Sequence, residues 1–404
     1  MTAPAGLLRS YPAALAWLAD HYDMERLIGS PDVAERSLDE MWTLMGLLDD
    51  PQDQVPAVHV TGTNGKGSTV RAAVELFGAS GLVAGSYTSP HLDRVNDRIA
   101  VANKPLDDAD FAAAVGEIAA VESLAENRSG TRPSYFDVLS AAAYSWFARV
   151  AHVNVIEVGM GGRWDSTNTI EAKVAVITNI GEEHLEIIGP TLADVATEKA
   201  GIVKAGAHVV LGETDPALVE VVAAVAAEHD ATLWLAERDY AAVDRHPAVG
   251  GQVLDIVTPF GRHEEVFVPL HGAHQGDNAA TALTAVEAFF GRALSAEVVH
   301  EAFAELRTPG RFEILRREPV IVTDGAHNPL GAEAAAATMS EVFGFGARRP
   351  AGTPRCPAAA LVLGVSRPHD PAAMAAALRA SDYDVVVAAG FDWPRSLPPA
   401  EIAA

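Results

Sequence analysis

The chain has 404 residues, of which 49% are hydrophobic and 21% charged, so it can bury a large core and is long enough for two or three domains. Its formal net charge of −25 argues against a nucleic-acid-binding surface and against an anionic membrane as partner. The single cysteine, Cys356, excludes an intramolecular disulfide and a metal site built from several cysteines. The N-terminus lacks the basic start and apolar centre of a signal peptide, and no run of about 18 apolar residues occurs, which predicts a soluble, cytoplasmic protein.

Short β-branched segments alternate with alanine-rich helical segments, after two helical patterns at Ala13–Leu18 and Leu38–Leu48. Strands that alternate with helices of about 10–15 residues are typical of parallel βαβ units, so the sequence predicts a doubly wound α/β domain. The strands are predicted at Ala57–Thr61, Leu82–Tyr87, Val153–Val158, Val174–Asn179 and His208–Leu211, and the helices near 70–80, 108–123, 135–149, 191–203 and 215–229.

A second, smaller α/β domain is predicted after Thr308-Pro-Gly310, the best candidate for a linker. Before it, apolar and polar residues alternate over Leu233–Leu270, which indicates a small antiparallel meander, and two helices follow near 275–291 and 295–306. We therefore predict domains at 1–307 and 308–404. In the second domain we predict strands at Val320–Thr323, Ala358–Leu363 and Val385–Ala389, helices near 329–343 and 370–380, and a loop at Gly344–Pro357.

A phosphate-binding loop follows the first predicted strand and precedes a helix. Glycines let its backbone N–H groups turn inward, Lys66 supplies a positive charge, and a hydroxyl can reach Mg²⁺. The strict P-loop pattern has Ser or Thr directly after the lysine, whereas Gly67 intervenes here. The strand and helix on either side favour a nucleotide site over a glycine-rich turn with a surface lysine. The predicted phosphate contacts are Thr63, Asn64, Gly65, Lys66, Gly67, Ser68 and Thr69.

Three further polar clusters also follow predicted strands. Open α/β sheets bind ligands at the carboxyl ends of their strands, so we expect all four clusters to form one site. Glu157 ends an apolar strand and suits Mg²⁺, which prefers oxygen ligands. Considered alone, Lys199 fits a helix-surface lysine, and a histidine such as His184 is an unusual Mg²⁺ ligand. The clusters are Thr88-Ser-Pro-His-Leu92, Glu157-Val-Gly-Met-Gly-Gly-Arg163, and Thr178-Asn-Ile-Gly-Glu-Glu-His184 with Glu198-Lys-Ala-Gly201.

Together with three later motifs, these clusters resemble folylpolyglutamate synthase/dihydrofolate synthase of the Mur ligase family. The motifs occur in order between residues 62 and 329, about two thirds of the chain. The resemblance implies a P-loop-type ATPase domain and a Rossmann-like C-terminal domain. It also implies an ADP-forming acid–amino-acid ligase that adds L-glutamate to dihydropteroate, to folates, or to both, through an acyl phosphate. The later motifs are His274-Gln-Gly-Asp-Asn278, Pro309-Gly-Arg311 and Asp324-Gly-Ala-His-Asn-Pro329.

The same resemblance assigns roles residue by residue. It implies ATP, Mg²⁺ at two sites and K⁺ as cofactors, and a Lys199 that CO₂ has carbamylated into a metal-binding anion. Lys66, Lys199 and His327 would be catalytic. Asn278 would contact the adenine, Asp324 the ribose, and Arg311 the phosphates, for which a guanidinium is well shaped. The metal ligands would be Ser89, Glu157 and His184, and the acceptor would contact Phe136, Arg163, Asp165 and Ser166.

The C-terminal sequence departs from the family pattern. A Lys-Asp pair is replaced by Ser366-Arg-Pro-His-Asp370, so any phosphate role of that lysine is absent or taken by Arg367. Arg395 matches a late family motif, and the chain then ends at Ala404, where the resemblance leads us to expect at least one further strand. We therefore expect a shortened C-terminal domain.

Two alternative functions remain open from the sequence. A cell-wall Mur ligase usually has an additional N-terminal domain for a UDP group, and only residues 1–56 precede the first predicted strand. A non-catalytic ATP-binding paralogue would be favoured by loss of metal or phosphate residues, and none of those matched between residues 62 and 329 is lost. The expected partners are dihydropteroate or folate and L-glutamate, with no nucleic acid and no membrane, and we expect a monomer.

Overall fold

The computed structural model describes Leu8 and residues 10–27, 37–183, 185–345 and 359–404. His184, Cys356 and most of the predicted loop at Gly344–Pro357 therefore lie outside the described residues. Within these ranges no helix has the length and apolarity needed to cross a membrane. We call the residues before Thr308 the N-terminal part and the remainder the C-terminal part. The predicted domain boundaries stay a prediction.

The strands and helices alternate along most of the N-terminal part. The strands are β1 Ala57–Thr61, β2 Ala84–Tyr87, β3 Ile99–Val101, β4 Lys104–Pro105, β5 Val153–Glu157, β6 Val174–Ile177, β7 His208–Leu211, β8 Thr232–Leu235, β9 Ala241–Ala248, β10 Gly251–Thr258, β11 Gly261–Val268, β12 Glu313–Arg317, β13 Val320–Thr323, β14 Ala360–Leu363 and β15 Val385–Ala388. The helices are α1 Tyr11–Leu18, α2 Met24–Leu27, α3 Asp39–Leu47, α4 Lys66–Ala79, α5 Asp108–Ser129, α6 Tyr135–Val150, α7 Leu185–Ile188, α8 Leu192–Ala200, α9 Pro216–Glu228, α10 Ala273–Phe290, α11 Ala296–Ala304, α12 Pro329–Phe343, α13 Pro371–Ala377 and α14 Pro399–Ile402.

A large sheet with the order β4-β3-β2-β5-β1-β6-β7-β8 forms the centre of the N-terminal part. The strands from β2 to β8 in this order run parallel, and β3 and β4 add an antiparallel edge. In the register, Val60 pairs with Glu157 and Thr61 with Ile177. The loops that follow β1, β5 and β6 therefore leave the same edge of the sheet. The predicted doubly wound α/β fold is confirmed.

Helices cover both faces of this sheet, which explains why its central strands are apolar without interruption. Successive side chains of a strand point to opposite faces. Val58 and Val60 accordingly lie in a core with α4, α10 and α11, whereas Ala57 lies in a core with α5 and α6. The α8 and α9 helices pack over β6 and β7 in a third cluster.

The prediction of an antiparallel meander over Leu233–Leu270 is correct for its later strands but wrong for its first residues. The strands β9, β10 and β11 form an antiparallel sheet. Residues 232–235, however, form β8, which pairs parallel with β7, so that Leu211 lies beside Leu235. Because alternation in a four-residue strand carries little information, the partner strand decided the assignment.

The C-terminal part contains two separate strand pairs among its described residues. β12 and β13 pair antiparallel, and β14 and β15 pair parallel. α12 and α13 lie beside each other, and Ala332 and Met374 contribute to a small core. The side chain of Val362 is 67% exposed, and three successive valines of β15 are also exposed. The predicted shortening of this part stays a prediction.

Phe77 tests the packing that holds α4 and the loop before it in place. Its ring is fully buried, and its centroid lies 5.0 Å from that of Phe289 and 5.8 Å from that of Phe290. Because truncation leaves a cavity, Phe77→Ala should lower the free energy of unfolding by about 3–5 kcal/mol in urea titrations. Phe391, which is 47% exposed, is the control, and Phe391→Ala should cost less than about 1 kcal/mol. Equal effects of the two variants would contradict the described packing.

Candidate active site

The phosphate loop connects β1 to α4, and two of its glycines are required by geometry. Gly65 precedes the first residue of α4 with φ of 85°. Gly62 has φ of 145°, and a Cβ at this position would lie 1.8 Å from Thr178 Oγ1. Both φ values are rare for residues with a side chain. The loop can therefore follow this path only with glycine at both positions.

The segment after β6 holds the phosphate loop from one side. The backbone N–H groups of Thr63 and Asn64 both donate to Asn179 Oδ1, at 3.1 and 2.8 Å. Thr178 Oγ1 donates to the carbonyl of Asn64 at 2.6 Å, and Gly181 N–H donates to Thr63 Oγ1 at 2.9 Å. Asn179 was not predicted as a site residue, although its Asn-Ile-Gly motif marked the segment.

The residues at the start of α4 face inward. Lys66 Nζ donates to the carbonyls of Gly62 and Thr63 at 2.7 and 3.2 Å, which holds the ammonium at the loop. Ser68 and Thr69 are buried. A Cβ at Gly67, the residue that breaks the strict P-loop pattern, would lie only 3.5 Å from Glu157 Oε2. The inserted glycine thus lies directly beside the carboxylate of Glu157.

Glu157 is buried at the end of β5. Desolvation raises the pKa of its carboxyl to about 7, although Lys66, Arg311, the backbone N–H of Ser89 and Arg71 oppose the rise. The structure thereby brings Ser89 and Glu157 together, as predicted. Arg71 was not predicted as a site residue. It lies on α4 three residues after Ser68 and therefore on the same face of the helix, which is the sequence feature that could have identified it.

A magnesium site at Glu157 fits the donor chemistry. Mg²⁺ is usually held by one or two carboxylates together with waters and phosphate oxygens. A buried carboxylate beside a phosphate loop meets that description. Among the described residues no three His, Cys, Asp or Glu side chains form a cluster able to hold a metal. The third predicted ligand, His184, lies outside the described residues.

Lys199 is fully buried near the C-terminus of α8 and forms an ion pair with Glu183. Burial lowers the pKa of its amine to about 8, and the carboxylate of Glu183 opposes the shift. The neighbouring Glu198 joins this helix to the glycine-rich motif. Its backbone carbonyl accepts from the N–H of Arg163 at 2.9 Å, and its Oε1 accepts from the N–H of Trp164 at 3.2 Å. The glycine-rich cluster that begins at Glu157 therefore contacts the cluster that contains Glu198 and Lys199.

Asp165 takes part in a buried hydrogen-bond network. It accepts from the N–H groups of Met160 and Thr167, both at 3.0 Å, and from the hydroxyl of Thr167. Because that hydroxyl donates to Asp165, it can accept from His59 Nε2, which lies 2.8 Å away. Burial raises the pKa of Asp165 to about 6 and lowers that of His59 to about 3. The predicted acceptor contact of Asp165 stays a prediction.

The other predicted acceptor residues lie around the start of α6. Ser166 Oγ donates to Asp137 Oδ1 at 2.5 Å, and Asp137 also closes the N-terminal capping box of α6. Phe136 packs against Gly159, where a Cβ would lie 2.5 Å from Phe136 Cζ. Arg163 is exposed. Their acceptor contacts stay predictions as well.

Arg311 and Asp324 of the C-terminal part lie beside each other, and Asn278 of the N-terminal part contacts the phosphate loop. The guanidinium of Arg311 lies against Gly325, where a Cβ would be 2.2 Å from Arg311 Nη1. Asp324 accepts from the N–H groups of Phe312 and Ala326, both at 2.7 Å, so its carboxylate shapes the backbone around Arg311. From the N-terminal part, Asn278 reaches the same loop: a Cβ at Gly65 would lie 2.4 Å from its Oδ1.

His327 lies on the loop between β13 and α12, with its Nδ1 3.1 Å from the carbonyl of Gly325. Desolvation lowers its pKa; that carbonyl opposes the shift, and Lys66, Arg311 and His369 favour it. The ring centroids of His327 and His369 are 5.9 Å apart. The lowered pKa favours the neutral imidazole, which can act as a base.

Arg367, which could take over the role of the missing lysine of the family pattern, forms an ion pair on the surface. Its guanidinium is exposed and pairs with Glu401, with Nη2 2.8 Å from Oε2. The side chain in contact with His327 is instead His369, two residues later. The sequence did not distinguish these two residues, because the direction of each side chain depends on how the loop after β14 folds.

A cleft of about 720 Å³ separates the N-terminal helices from the C-terminal part. Arg98 anchors its floor through two hydrogen bonds to Glu25, at 2.7 and 2.6 Å, and its Nε donates to His91 Nδ1 at 3.1 Å. His91 lies two residues after Ser89, so the cleft adjoins the predicted metal site. The aromatic side chains that line it are Tyr11, Tyr22, Tyr135 and Trp393.

Residues 60–286 match the Mur ligase middle domain, and residues 310–404 match the Mur ligase, glutamate ligase domain. The chain belongs to the Mur ligase family. This Mur ligase is 40% identical over 327 residues to a dihydrofolate synthase/folylpolyglutamate synthase of Mycobacterium tuberculosis, covering 76% of the chain and 67% of the relative. It is 34% identical over 363 residues to a folylpolyglutamate synthase of Lacticaseibacillus casei, covering 89% and 82%.

Solved structures agree with this assignment. The M. tuberculosis folylpolyglutamate synthase complexed with ADP and AMPPCP superimposes with a TM-score of 0.86 at 37% identity, covering 96% of this chain and 86% of that one. A folylpolyglutamate synthase complex with AMPPCP and folate gives a TM-score of 0.81 at 31% identity, covering 93% and 88%. The predictions of an ATP-dependent amide ligase, and of the folate branch over other Mur ligases, are confirmed.

In this Mur ligase, Glu157→Gln should raise the stability of the protein and abolish its activity. Because the pKa of Glu157 is about 7 in the native state and that of an exposed glutamate is 4.5, the native state loses stability as pH rises through this window. At pH 8 without Mg²⁺, the variant should therefore exceed the wild type in free energy of unfolding by about 3 kcal/mol. The difference should shrink towards pH 5, and ATP-dependent activity should be lost.

The exposed Glu301 supplies the matched control, and Glu301→Gln should leave both the unfolding free energy and its pH dependence unchanged. Urea titrations at pH 5 and pH 8 measure these quantities. A Glu157→Gln variant that is less stable than the wild type at pH 8 would contradict the burial cost.

Proposed function

We propose that this Mur ligase uses ATP to activate the carboxylate of dihydropteroate or of a folate and then joins that carboxylate to L-glutamate. One observation carries the proposal: cations of both parts converge on Glu157. Lys66 comes from the N-terminal part and Arg311 from the C-terminal part, and both lower the pKa of Glu157 and of His327. The related structures that hold AMPPCP, ADP and folate support the choice of ligands.

The first step forms the acyl phosphate. A carboxylate oxygen of the acceptor attacks the γ-phosphorus of ATP, and ADP leaves. Lys66, Arg311 and the N–H groups at the start of α4 stabilise the phosphate charge, because phosphoryl transfer depends mainly on positioning and electrostatics. Bound Mg²⁺ would neutralise further phosphate charge, and Glu157 and Ser89 are the residues that would hold it.

The second step forms the amide. The amino group of L-glutamate must be neutral to attack the acyl carbon, and inorganic phosphate then leaves. We assign His327 as the acceptor of this proton, since desolvation lowers the pKa of its imidazole and so favours the neutral form that can act as a base. Closure of the two parts over the acyl phosphate would exclude water, which would otherwise hydrolyse it.

Carbamylation of Lys199 belongs to the proposal. Only a neutral amine reacts with CO₂, and with a pKa of about 8 roughly a tenth of the Lys199 amines are neutral at pH 7. The reaction releases one proton and yields an anion beside Glu183, so that two oxygen ligands would face a second Mg²⁺. We also propose that K⁺ is a further cofactor, that the protein is a monomer, and that it is located in the cytoplasm.

The aromatic cleft is the proposed route for the acceptor. A pteridine or aminobenzoyl ring can stack on the faces of tyrosine and tryptophan. Trp393 belongs to the C-terminal part, and the Arg26 guanidinium lies 5.6 Å from the centroid of its ring. The predicted acceptor residues Phe136, Asp165 and Ser166 lie around the start of α6, and Tyr135 of that helix lines the cleft. The acceptor would thus contact both parts at once.

Phosphate release tests the proposed reaction. ATP, Mg²⁺ and L-glutamate should give phosphate with dihydropteroate, with tetrahydrofolate, or with both, and none without an acceptor. Because Trp393 closes the cleft, Trp393→Ala should raise the acceptor KM by about tenfold, the loss expected for a stacked ring. A coupled phosphate assay gives both values.

Trp42 is 45% exposed on α3, away from the residues that line the cleft, and Trp42→Ala is the matched control with unchanged KM. No phosphate with either acceptor would refute the folate assignment. An unchanged KM in Trp393→Ala would refute only the route through the cleft.

Lys199 can be tested with labelled bicarbonate. Wild-type protein in ¹³C-bicarbonate should show a carbamate carbon resonance, and Lys199→Ala should lack it. Activity should fall in CO₂-depleted buffer and return with bicarbonate, because the carbamate forms reversibly. Lys104→Ala removes an exposed lysine and should retain both the resonance and the activity. Full activity of Lys199→Ala would exclude a catalytic carbamate.

A further inference from the structure

A pair of asparagine side chains joins the two parts of the molecule. Asn64 Nδ2 donates to Asn328 Oδ1 at 3.1 Å, and Asn328 Nδ2 donates to Asn64 Oδ1 at 3.0 Å. The two residues are 264 positions apart, and Asn328 is only 3% exposed. A carboxamide is both donor and acceptor, so two of them can exchange a complete pair of hydrogen bonds.

On the N-terminal side, the backbone of Asn64 is already occupied. Its N–H donates to Asn179 Oδ1 at 2.8 Å, and its carbonyl accepts from Thr178 Oγ1 at 2.6 Å. The Asn64 side chain is therefore carried by a rigidly held backbone in the phosphate loop. A contact to the Asn64 side chain therefore acts directly on the position of the phosphate loop.

On the C-terminal side, Asn328 has a second role at the N-terminus of α12. Its Oδ1 also accepts from the N–H of Gly331 at 2.9 Å, as expected for a helix N-cap. The next helical turn brings Leu330 against the loop after β6: a Cβ at Gly181 would lie 2.7 Å from Leu330 Cδ1. The start of α12 thus rests on the N-terminal part, directly after His327.

We propose that Asn328 is a positioning residue, whose amide pair with Asn64 fixes the His327 loop of the C-terminal part to the phosphate loop. The inference rests on the proposed function, because it assigns the pair to the ligase site. The pair couples the loop that carries His327, the proposed base, to the loop proposed to hold the γ-phosphate. Losing it should affect the chemical steps more than the binding of ATP, because most of the predicted ATP contacts lie in the N-terminal part.

Asn328→Ser is the most selective variant. Serine retains a good N-cap for α12 but is too short to reach Asn64. Each net hydrogen bond between neutral groups changes an equilibrium by several-fold, so we expect kcat to fall by about tenfold or more and KM for ATP to change by less than about threefold. Hydrogen exchange should also be about fivefold faster in residues 62–69, where the sequence is unaltered.

Asn64→Ser removes the same pair from the other side and leaves α12 untouched, so it answers the question if Asn328→Ser does not fold. The double variant should lose no more activity than the more affected single variant, because the two residues act through one contact. Asn127, exposed on α5, supplies the matched control, and Asn127→Ser should change none of these values.

Unchanged exchange in residues 62–69 of Asn328→Ser, or losses in kcat that multiply in the double variant, would overturn the proposal. The exchange measurement needs no substrate. A wild-type protein without phosphate release would therefore refute the proposed function, while exchange would still decide whether Asn328 holds the phosphate loop.

Discussion

The carboxylate of Glu157 lies out of water at the end of β5, and the site depends on how its charge is balanced. Burial raises the pKa of this group, and the cations that oppose the rise come from separate places: Lys66 and Arg71 from α4, and Arg311 from the C-terminal part. A carboxylate in this position is costly to the fold unless cations compensate it. The charge balance at Glu157 therefore requires both parts of the chain.

Lys199 presents the opposite charge in the same region, and it is paired with Glu183 inside the protein. Two buried ionic groups of opposite sign thus lie on loops and helices that leave one edge of a parallel sheet. Such groups reduce stability, and active sites are where proteins retain them. The apolar clusters around α4, α5 and α8 supply the compensating burial and keep the four loops in register.

The contact between the two parts gives the site its remaining components. The charges of Lys66 and Arg311 act together on His327, Trp393 lines the aromatic cleft, and Asn328 exchanges hydrogen bonds with Asn64. A reaction through an acyl phosphate needs such a boundary, because water competes with the amine. Substrate binding, proton transfer and exclusion of water consequently depend on one interface.

Local periodicity and the loop motifs were sufficient to predict the parallel sheet, the common edge at which its loops meet, and the position of Glu157 at that edge. The sequence also indicated the family through its ordered motifs. Only the tertiary structure decided that β8 joins the large sheet, that Arg367 pairs with Glu401, and that Asn328 meets Asn64. These features depend on which distant segment lies beside a side chain. Spacing along the chain carries no information about that, since 264 residues separate Asn64 from Asn328.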